Sequence, residues 1–375
     1  MPMTSSTTKT VLQLCHSYGA PFADVARQWA HLFRDSEYTV ITVFVTGSYD
    51  QTVADLVGGE VMFLQNTSAD IRGLKRKQVK QVAELHQRYQ FVFAIAHRFK
   101  PIYIATHIAD LKVVGVHHAF GDYNRFTRRW YANSKRQQLG LLAVSNAVRD
   151  DIRQRLPRFN PNHIETLYNR VDYQALRNGM LSRAEARQAL GLSENAYIFA
   201  NVGRLHPDKD QKTLIAAFAK VAAELTDAEL VIIGKGKLAS DLQKQATATG
   251  LGERIKLLGV VPDAWRYYRA FDSFVLSSDH EPFGMVLLEA MAAGLPIACS
   301  ACGGGMEVVG NTGWLFSLGD STQLATHMHT IAQLSAQQLA ATRTAMDAHV
   351  QAHFTDQAVT QSFWQLPLIS QWATQ

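Results

Sequence analysis

Two carboxylates eight residues apart, Glu281 and Glu289, lie in the stretch of this sequence richest in possible chemistry, residues 277–310. A strand-like run ends near residue 277, and a helical pattern opens at Gly284. Glu281 therefore falls in the loop at the helix start, and Glu289 about one and a half turns inside the helix. Free amides at a helix start favour an anion such as a diphosphate. Carboxylates beside them suit a hydroxyl-rich group, because they accept hydrogen bonds without competing for the phosphate. Gly303, Gly304 and Gly305 allow a close backbone approach to a ligand. A second set follows another strand-like run: Gly203, Arg204, Leu205 and Lys209. Two cations at the carboxyl end of a strand can neutralise a diphosphate. Plainer roles compete. Glu281 can cap its helix and Glu289 can be a solvated helix residue, and for the pair alone these roles outweigh binding. Arg204 and Lys209 can be surface charges in a turn, which Pro207 and Asp208 also suit.

The elements that must position these residues follow an alternating pattern. Strands are read over residues 10–15, 38–45, 91–96, 112–116, 141–145 and 165–168, with helical stretches such as 22–33, 73–89 and 147–155 between them. Several strands are apolar at consecutive positions, which implies burial on both faces, as in a parallel sheet covered by helices. Strand content lapses from residue 172 to 195, where 183–190 reads as a helix and the stretch as an inter-domain connection. Alternation then resumes, with strands at 197–202, 229–233, 254–258, 273–276 and 296–299 and helices at 212–225, 238–249 and 284–293. The expected fold is α/β, with two Rossmann-like doubly wound domains facing a cleft, since ligands bind beyond the carboxyl ends of such strands. The boundaries read as 1–172 for the first domain, 173–194 for the linker and 195–354 for the second domain. Residues 355–375 read as a C-terminal helix packing back on the first.

Composition bounds the function. A chain of 375 residues exceeds one typical core. It is 47% hydrophobic and 18% charged, an ordinary soluble balance. No run of about 18 apolar residues is present to span a membrane. The polar start, residues 1–9, lacks the apolar core of a signal peptide. Three cysteines, Cys15, Cys299 and Cys302, are too few for a disulfide framework, so a reducing cytoplasm is the default. No second pair accompanies Cys299-x-x-Cys302 to complete a zinc site, and small residues suit the turn it occupies, so no metal is expected there.

The net charge of +5 is unevenly shared. Residues 1–190 hold 25 Lys and Arg against 15 Asp and Glu, and the remainder 12 against 17. The basic half suggests an anionic partner, namely a phosphate-bearing molecule, an acidic membrane surface or nucleic acid, or else a plain solvated face. Basic clusters occur at 75–80 and 125–136. The second contains Phe126, Trp130 and Tyr131 and suits a membrane or an anionic ligand as well as it suits solvent. No nucleic-acid-binding module accompanies these clusters, so nucleic acid is not expected as a partner.

Together these segments resemble the retaining family-4 glycosyltransferases of the GT-B fold. The family's Gly-Arg-Leu, with a Lys five positions after the Arg, is matched by Gly203, Arg204, Leu205 and Lys209. Its Glu-x7-Glu is matched by Glu281 and Glu289, with Pro282, Phe283 and Gly284 between, and its Gly-Gly-x-x-Glu by Gly303, Gly304 and Glu307. The resemblance runs nearly continuously over residues 197–316 and weakens toward the N-terminus. There Ala143-Val144-Ser145 and Tyr168-Asn169-Arg170-Val171-Asp172 are similar to family segments before the hinge, with Arg170 where a Gly is common. The family's Gly-rich loop after the first strand is reduced to Ser17-Tyr18-Gly19-Ala20, which leaves Gly19 to approach the donor phosphate. The family also places a His at the end of a mid-domain strand, near the reacting sugar. Both His117 and His118 qualify, and His117 is preferred because it directly ends the strand.

The resemblance implies a retaining transferase that moves a sugar from a nucleoside-diphosphate sugar to a hydroxyl of a glycan or glycolipid acceptor. Lipopolysaccharide or surface-polysaccharide synthesis in bacteria is the expected setting. The first domain would serve the acceptor and the second the donor, a UDP- or GDP-sugar acting as substrate, with no cofactor. Arg204 and Lys209 would stabilise the departing diphosphate, making a metal unnecessary. Glu289 would accept from the ribose hydroxyls. Glu281 and the amides of Phe283, Gly284, Met285 and Val286 would hold the transferred sugar. Departure and attack would occur on one face of the sugar, and domain closure would exclude water. The expected location is cytoplasmic, peripheral on the inner face of the membrane. Two other functions fit the architecture: a nucleotide-sugar epimerase, which needs no acceptor, and a non-catalytic protein binding an anionic polymer.

Overall fold

Consecutive apolar residues set the layering. In β1 (Lys9–Cys15) Val11, Leu12 and Leu14 are all fully buried, so both faces of the strand must be covered. A computed structural model describes residues 9–19 and 22–373 of the chain. In it β1 pairs with β2 (Tyr38–Thr46) on one side and β4 (Phe93–His97) on the other. The sheet extends through β3 (Glu60–Asn66) at one edge and through β5 (Lys112–His117), β6 (Leu139–Ala143) and β7 (Ile164–Thr166) at the other. All neighbours are parallel, in the order β3-β2-β1-β4-β5-β6-β7.

The second sheet repeats that logic. It contains β8 (Tyr197–Val202), β9 (Ala228–Ile233), β10 (Ile255–Gly259), β11 (Ser273–Leu276), β12 (Ile297–Ser300) and β13 (Trp314–Phe316). These are parallel in the order β10-β9-β8-β11-β12-β13. Each sheet reverses its strand order beside its first strand, between β1 and β4 and between β8 and β11. Such switch points open a crevice at the carboxyl ends of the strands, where doubly wound sheets hold ligands. The edge strands β3 and β13 were not anticipated. β3 is mostly half-buried and β13 is three residues long, so neither shows a buried-strand pattern.

The chain groups into two units, one of Met1–Tyr168 with Val359–Gln375 and one of Asn169–Ala358. Residues 173–194, expected as a linker, form helices Tyr173–Gly179 and Arg183–Leu190, which are built into the second unit. Ser182 and Glu185 cap the latter reciprocally. Its Arg187 is buried and donates to the carbonyls of Ala270, Ser193 and Glu194 and to the Asp272 carboxylate at 2.8 Å. A fully satisfied buried guanidinium of this kind fixes the stretch to the domain.

The C-terminal segment, expected as one helix, forms two, Asp356–Gln365 and Pro367–Ala373. Phe363, Leu368, Ile369 and Trp372 join Trp29, Phe33 and Phe93 in the core of the first unit. Gly140 on β6 makes room for them, since a Cβ there would lie 2.3 Å from the Leu368 side chain.

Candidate active site

Cross-strand hydrogen bonds lace together the loops that follow β8 and β11. The Asn201 amide donates to the Val275 carbonyl at 2.8 Å, and Ser277 Oγ to the Lys209 carbonyl at 2.9 Å. The Asp279 amide donates to the Asp208 carbonyl at 3.0 Å. So anchored, Lys209 extends its ammonium to Glu281 Oε2 at 2.6 Å, across 72 residues of sequence. Ser278 Oγ reaches the same oxygen at 3.3 Å, and the Gly304 amide donates to the Glu281 carbonyl at 2.7 Å. Glu281 Oε1 accepts no hydrogen bond among the described residues, which leaves it available to a ligand hydroxyl.

Arg204 behaves differently. Its side chain is largely exposed and donates to Asp208 Oδ2 at 3.0 Å. The structure therefore joins Lys209 to Glu281 but gives Arg204 and Lys209 separate carboxylates. The loop 203–205 lies hard against the end of β9. A Cβ at Gly234 would sit 1.8 Å from the Gly203 carbonyl oxygen, and one at Gly236 2.1 Å from that of Leu205. Sequence reasoning missed Gly234 and Gly236, although a Gly-x-Gly directly after a strand was the available signal.

The helix Met285–Ala292 begins after Gly284, whose φ of 101° suits glycine. The amides of Met285 and Val286 lack helical acceptors, as at any helix start. Phe283 is buried and sets its ring against Phe354 at 5.8 Å. Glu289 is half-buried, and desolvation pushes its carboxyl up to about 7. The buried Tyr268 hydroxyl lies beside it without forming a hydrogen bond of normal geometry. Glu289 is thus not the solvated helix residue that its sequence context also allowed, and Tyr268 was not foreseen.

The three glycines 303–305 were expected to let a ligand approach the backbone. They form the first turn of helix Gly303–Val309, and the close approach at Gly304 is to the protein itself. A Cβ there would lie 2.3 Å from the Pro282 carbonyl oxygen. Cys299 and Cys302 are buried thiols, and burial pushes both up, away from the reactive thiolate. Cys302 Sγ donates to the Ser278 carbonyl at 2.8 Å, a structural role. Among the described residues no group of three His, Cys, Asp or Glu could hold a metal ion.

In the first unit the two histidines at the end of β5 have different surroundings. His117 is fully buried, and both its ring nitrogens meet protein atoms: Nδ1 with Asp122 Oδ2 at 2.6 Å and Nε2 with the Tyr123 hydroxyl at 3.1 Å. His118 instead lines a hollow with Cys15, His16, Ser17, Phe22, Val25, His97 and Arg98. The preference for His117 as the ligand-facing residue therefore shifts to His118. A buried relay fixes the state of His118. Gln13 Oε1 accepts from Thr42 and its Nε2 donates to the Ala26 carbonyl, which orients the amide. Its Nε2 then also donates to His97 Nε2 at 3.3 Å, so the His97 proton sits on Nδ1 and points to His118 Nε2 at 3.2 Å. His118 keeps its own proton on Nδ1. Burial lowers its pKa to about 4, so the ring is neutral at pH 7. Gly19 is exposed with open space around its Cα, and its carbonyl accepts from the Phe22 amide at 2.8 Å. Ala20 lies outside the described residues.

Two parallel doubly wound sheets, with a paired lysine and glutamate at the switch point of the second, define an α/β architecture of the GT-B type. Residues 182–346 match the family model for glycosyl transferases group 1. Among curated proteins the chain is similar to the N-acetyl-alpha-D-glucosaminyl L-malate synthase of Bacillus anthracis. The two are 28% identical over 234 residues, which is 62% of this chain and 58% of that protein. It is also similar to the lipopolysaccharide core biosynthesis glycosyltransferase LpsE of Rhizobium meliloti, 31% identical over 48% of this chain and 52% of that protein. The chain spans about half the length of the curated relatives it matches. Among solved structures it resembles Anabaena HepE in complex with UDP, with a TM-score of 0.79 at 23% identity over 94% of this chain and 98% of that one. At that identity the likeness establishes the fold.

Proposed function

We propose that this chain transfers a sugar, with retention at the anomeric carbon, from a nucleoside-diphosphate sugar to an acceptor hydroxyl. The observation that carries the proposal is the Lys209–Glu281 pair at 2.6 Å, set beside the start of helix Met285–Ala292 in a group 1 domain. A diphosphate placed against the free amides of that helix would gain the ammonium of Lys209, with the exposed Arg204 as a second cation. Glu281 Oε1 would receive a hydroxyl of the transferred sugar, and Glu289 the ribose. The two cations carry the leaving-group charge without a metal. The departing phosphate takes the acceptor's proton, so no carboxylate nucleophile is required.

The donor is a UDP-sugar by analogy with HepE, and the first unit serves the acceptor. Lipopolysaccharide or another bacterial surface polysaccharide is the proposed acceptor, consistent with LpsE and with the excess of basic residues in 1–190. Synthesis of such glycolipids would place the protein on the inner face of the cytoplasmic membrane. No helix among the described residues is long and apolar enough to cross a membrane, so a surface contact is the mode proposed. The test is a thermal-unfolding screen against UDP-, GDP- and ADP-sugars, because a ligand that binds the native state raises the midpoint. One nucleotide series should stabilise the protein by several degrees. If none does, the donor assignment fails. Sugar conversion without an acceptor would indicate the epimerase instead.

A further inference from the structure

The core of the second unit buries a hydroxyl where a phenylalanine would pack equally well. Tyr268 lies in the 3-10 segment Ala264–Ala270, which packs against helices Arg183–Leu190 and Met285–Ala292. Its ring is fully buried, stacked on Phe274 at 5.5 Å and edge-on to Phe271 at 6.0 Å. Phe274 belongs to β11, so the ring is anchored to the sheet. The hydroxyl at its tip makes no hydrogen bond of normal geometry among the described residues. An orphaned buried hydroxyl destabilises a fold, and a phenylalanine would fill the same space without that cost. The hydroxyl must therefore serve a state of the molecule other than the resting fold.

The polar group beside it is the Glu289 carboxyl. Desolvation raises that carboxyl, and the Tyr268 hydroxyl is what opposes the rise. Burial and the neighbouring Glu289 keep the phenol itself well above its ordinary value, so it stays protonated and meets a carboxylate as a donor. Charged groups on the other elements around helix Met285–Ala292 are engaged elsewhere. Arg343 donates to the Gly294 carbonyl at 2.9 Å, Arg177 and Tyr173 hold Asp347, and His349 reaches the Val308 carbonyl at 3.1 Å. Arg269 donates to the carbonyls of Met180 and Arg177. Strands β11 and β12 bring no charged side chain. Neither these groups nor Glu307 on helix Gly303–Val309 acts on Glu289. A diol such as ribose donates both hydroxyls, so its carboxylate must be ionised and fixed in direction. With no cation at hand, a neutral donor on a rigid ring can do both.

We propose that Tyr268 is a positioning residue of the donor site, whose hydroxyl donates to the ionised Glu289 carboxylate and holds it for the ribose of the nucleotide. This rests on the reading of Glu289 as the ribose acid, whereas the Tyr268–Glu289 pair stands on the packing of the core. The experiment uses the full chain with its Tyr268→Phe and Glu289→Gln variants. Carboxyl-carbon NMR follows the titration of Glu289 without nucleotide, its resonance being the one lost in Glu289→Gln. Calorimetry follows UDP affinity against pH. Tyr268→Phe should melt at the wild-type temperature or above it. Its Glu289 titration should move up by about one pH unit. Its UDP affinity should fall by up to about tenfold on the acid side of that titration and return toward the wild-type value as pH rises. If Tyr268→Phe folds poorly, 3-fluorotyrosine in place of Tyr268, a stronger donor of nearly the same shape, should move the titration down instead. A Glu289 titration that neither replacement moves, or a Tyr268→Phe whose UDP affinity falls equally at every pH, would overturn the proposal. A wild type that ignores UDP while Tyr268→Phe still moves the titration would uphold the pair and overturn the ribose reading.

Discussion

At the scale of single residues, the ionisation of Glu289 is the most exposed to test. Its carboxyl, ordinarily at 4.5, is pushed up to about 7 by burial. Between those values the folded protein binds a proton that the unfolded chain releases, so this residue's contribution to stability falls as pH rises through that window. A carboxylate that accepts from two ribose hydroxyls must be ionised. UDP affinity should therefore drop as pH falls below about 7, by up to about tenfold per unit, and Glu289→Gln should bind UDP weakly without that component. The titration of UDP itself affects both proteins equally and cancels in the comparison. Matching pH profiles for the two by calorimetry would remove Glu289 from the nucleotide site. Residue types and spacing were enough to single out Lys209, Glu281 and Glu289. They were not enough to show that Lys209 pairs with Glu281 while Arg204 pairs with Asp208, or that His118 rather than His117 lines the hollow. Those outcomes depend on partners far away in sequence, Glu281 for Lys209 and Gln13 and His97 for His118, which no local pattern reveals.

At the scale of elements, helix Phe126–Ser134 presents its largest apolar side chains outward among the described residues. Phe126 is 70% exposed and Trp130, one turn on, 65%. Arg129 shares the adjoining surface, where Arg155 and Arg158 line the same depression. Aromatic rings flanked by arginines suit the interface of an anionic bilayer, where rings enter the headgroup region and cations meet lipid phosphates. The protein should float with anionic liposomes at low salt and release steeply as salt rises. Phe126→Ala with Trp130→Ala should weaken binding by at least about tenfold, given the apolar area removed. Equal flotation with neutral and anionic liposomes would sink the membrane assignment. The sequence displayed the aromatic and basic composition of this helix but not its exposure. The interior strands were legible because they are apolar without interruption, whereas β3 and β13 sit at sheet edges, where the buried pattern thins.

At the scale of the whole molecule, one strand-order logic is used twice, and that repetition was readable as alternating strand and helix patterns. The return of the C-terminal segment to the first unit was read only in outline. The core contributed by Phe363, Leu368, Ile369 and Trp372 is spread over two short helices that carry no strong periodicity of their own. Residues 173–194 read as a connection because they lack strands, yet the buried Arg187 ties them into the second unit. If the proposed transfer holds, turnover depends on these parts together. As the bond from sugar to phosphate breaks, charge grows on the leaving diphosphate. A lysine fixed beside it then binds the transition state more tightly than the bound donor, and only that difference raises turnover. The most direct measurement is steady-state sugar transfer by Lys209→Ala in the presence of EDTA, with folding confirmed by circular dichroism. The wild type should keep its turnover without free metal. The folded variant should be slowed about a hundred- to a thousandfold, with little change in the Michaelis constant for the donor. A folded Lys209→Ala protein with near-normal turnover, or a wild type that EDTA silences and magnesium restores, would contradict it.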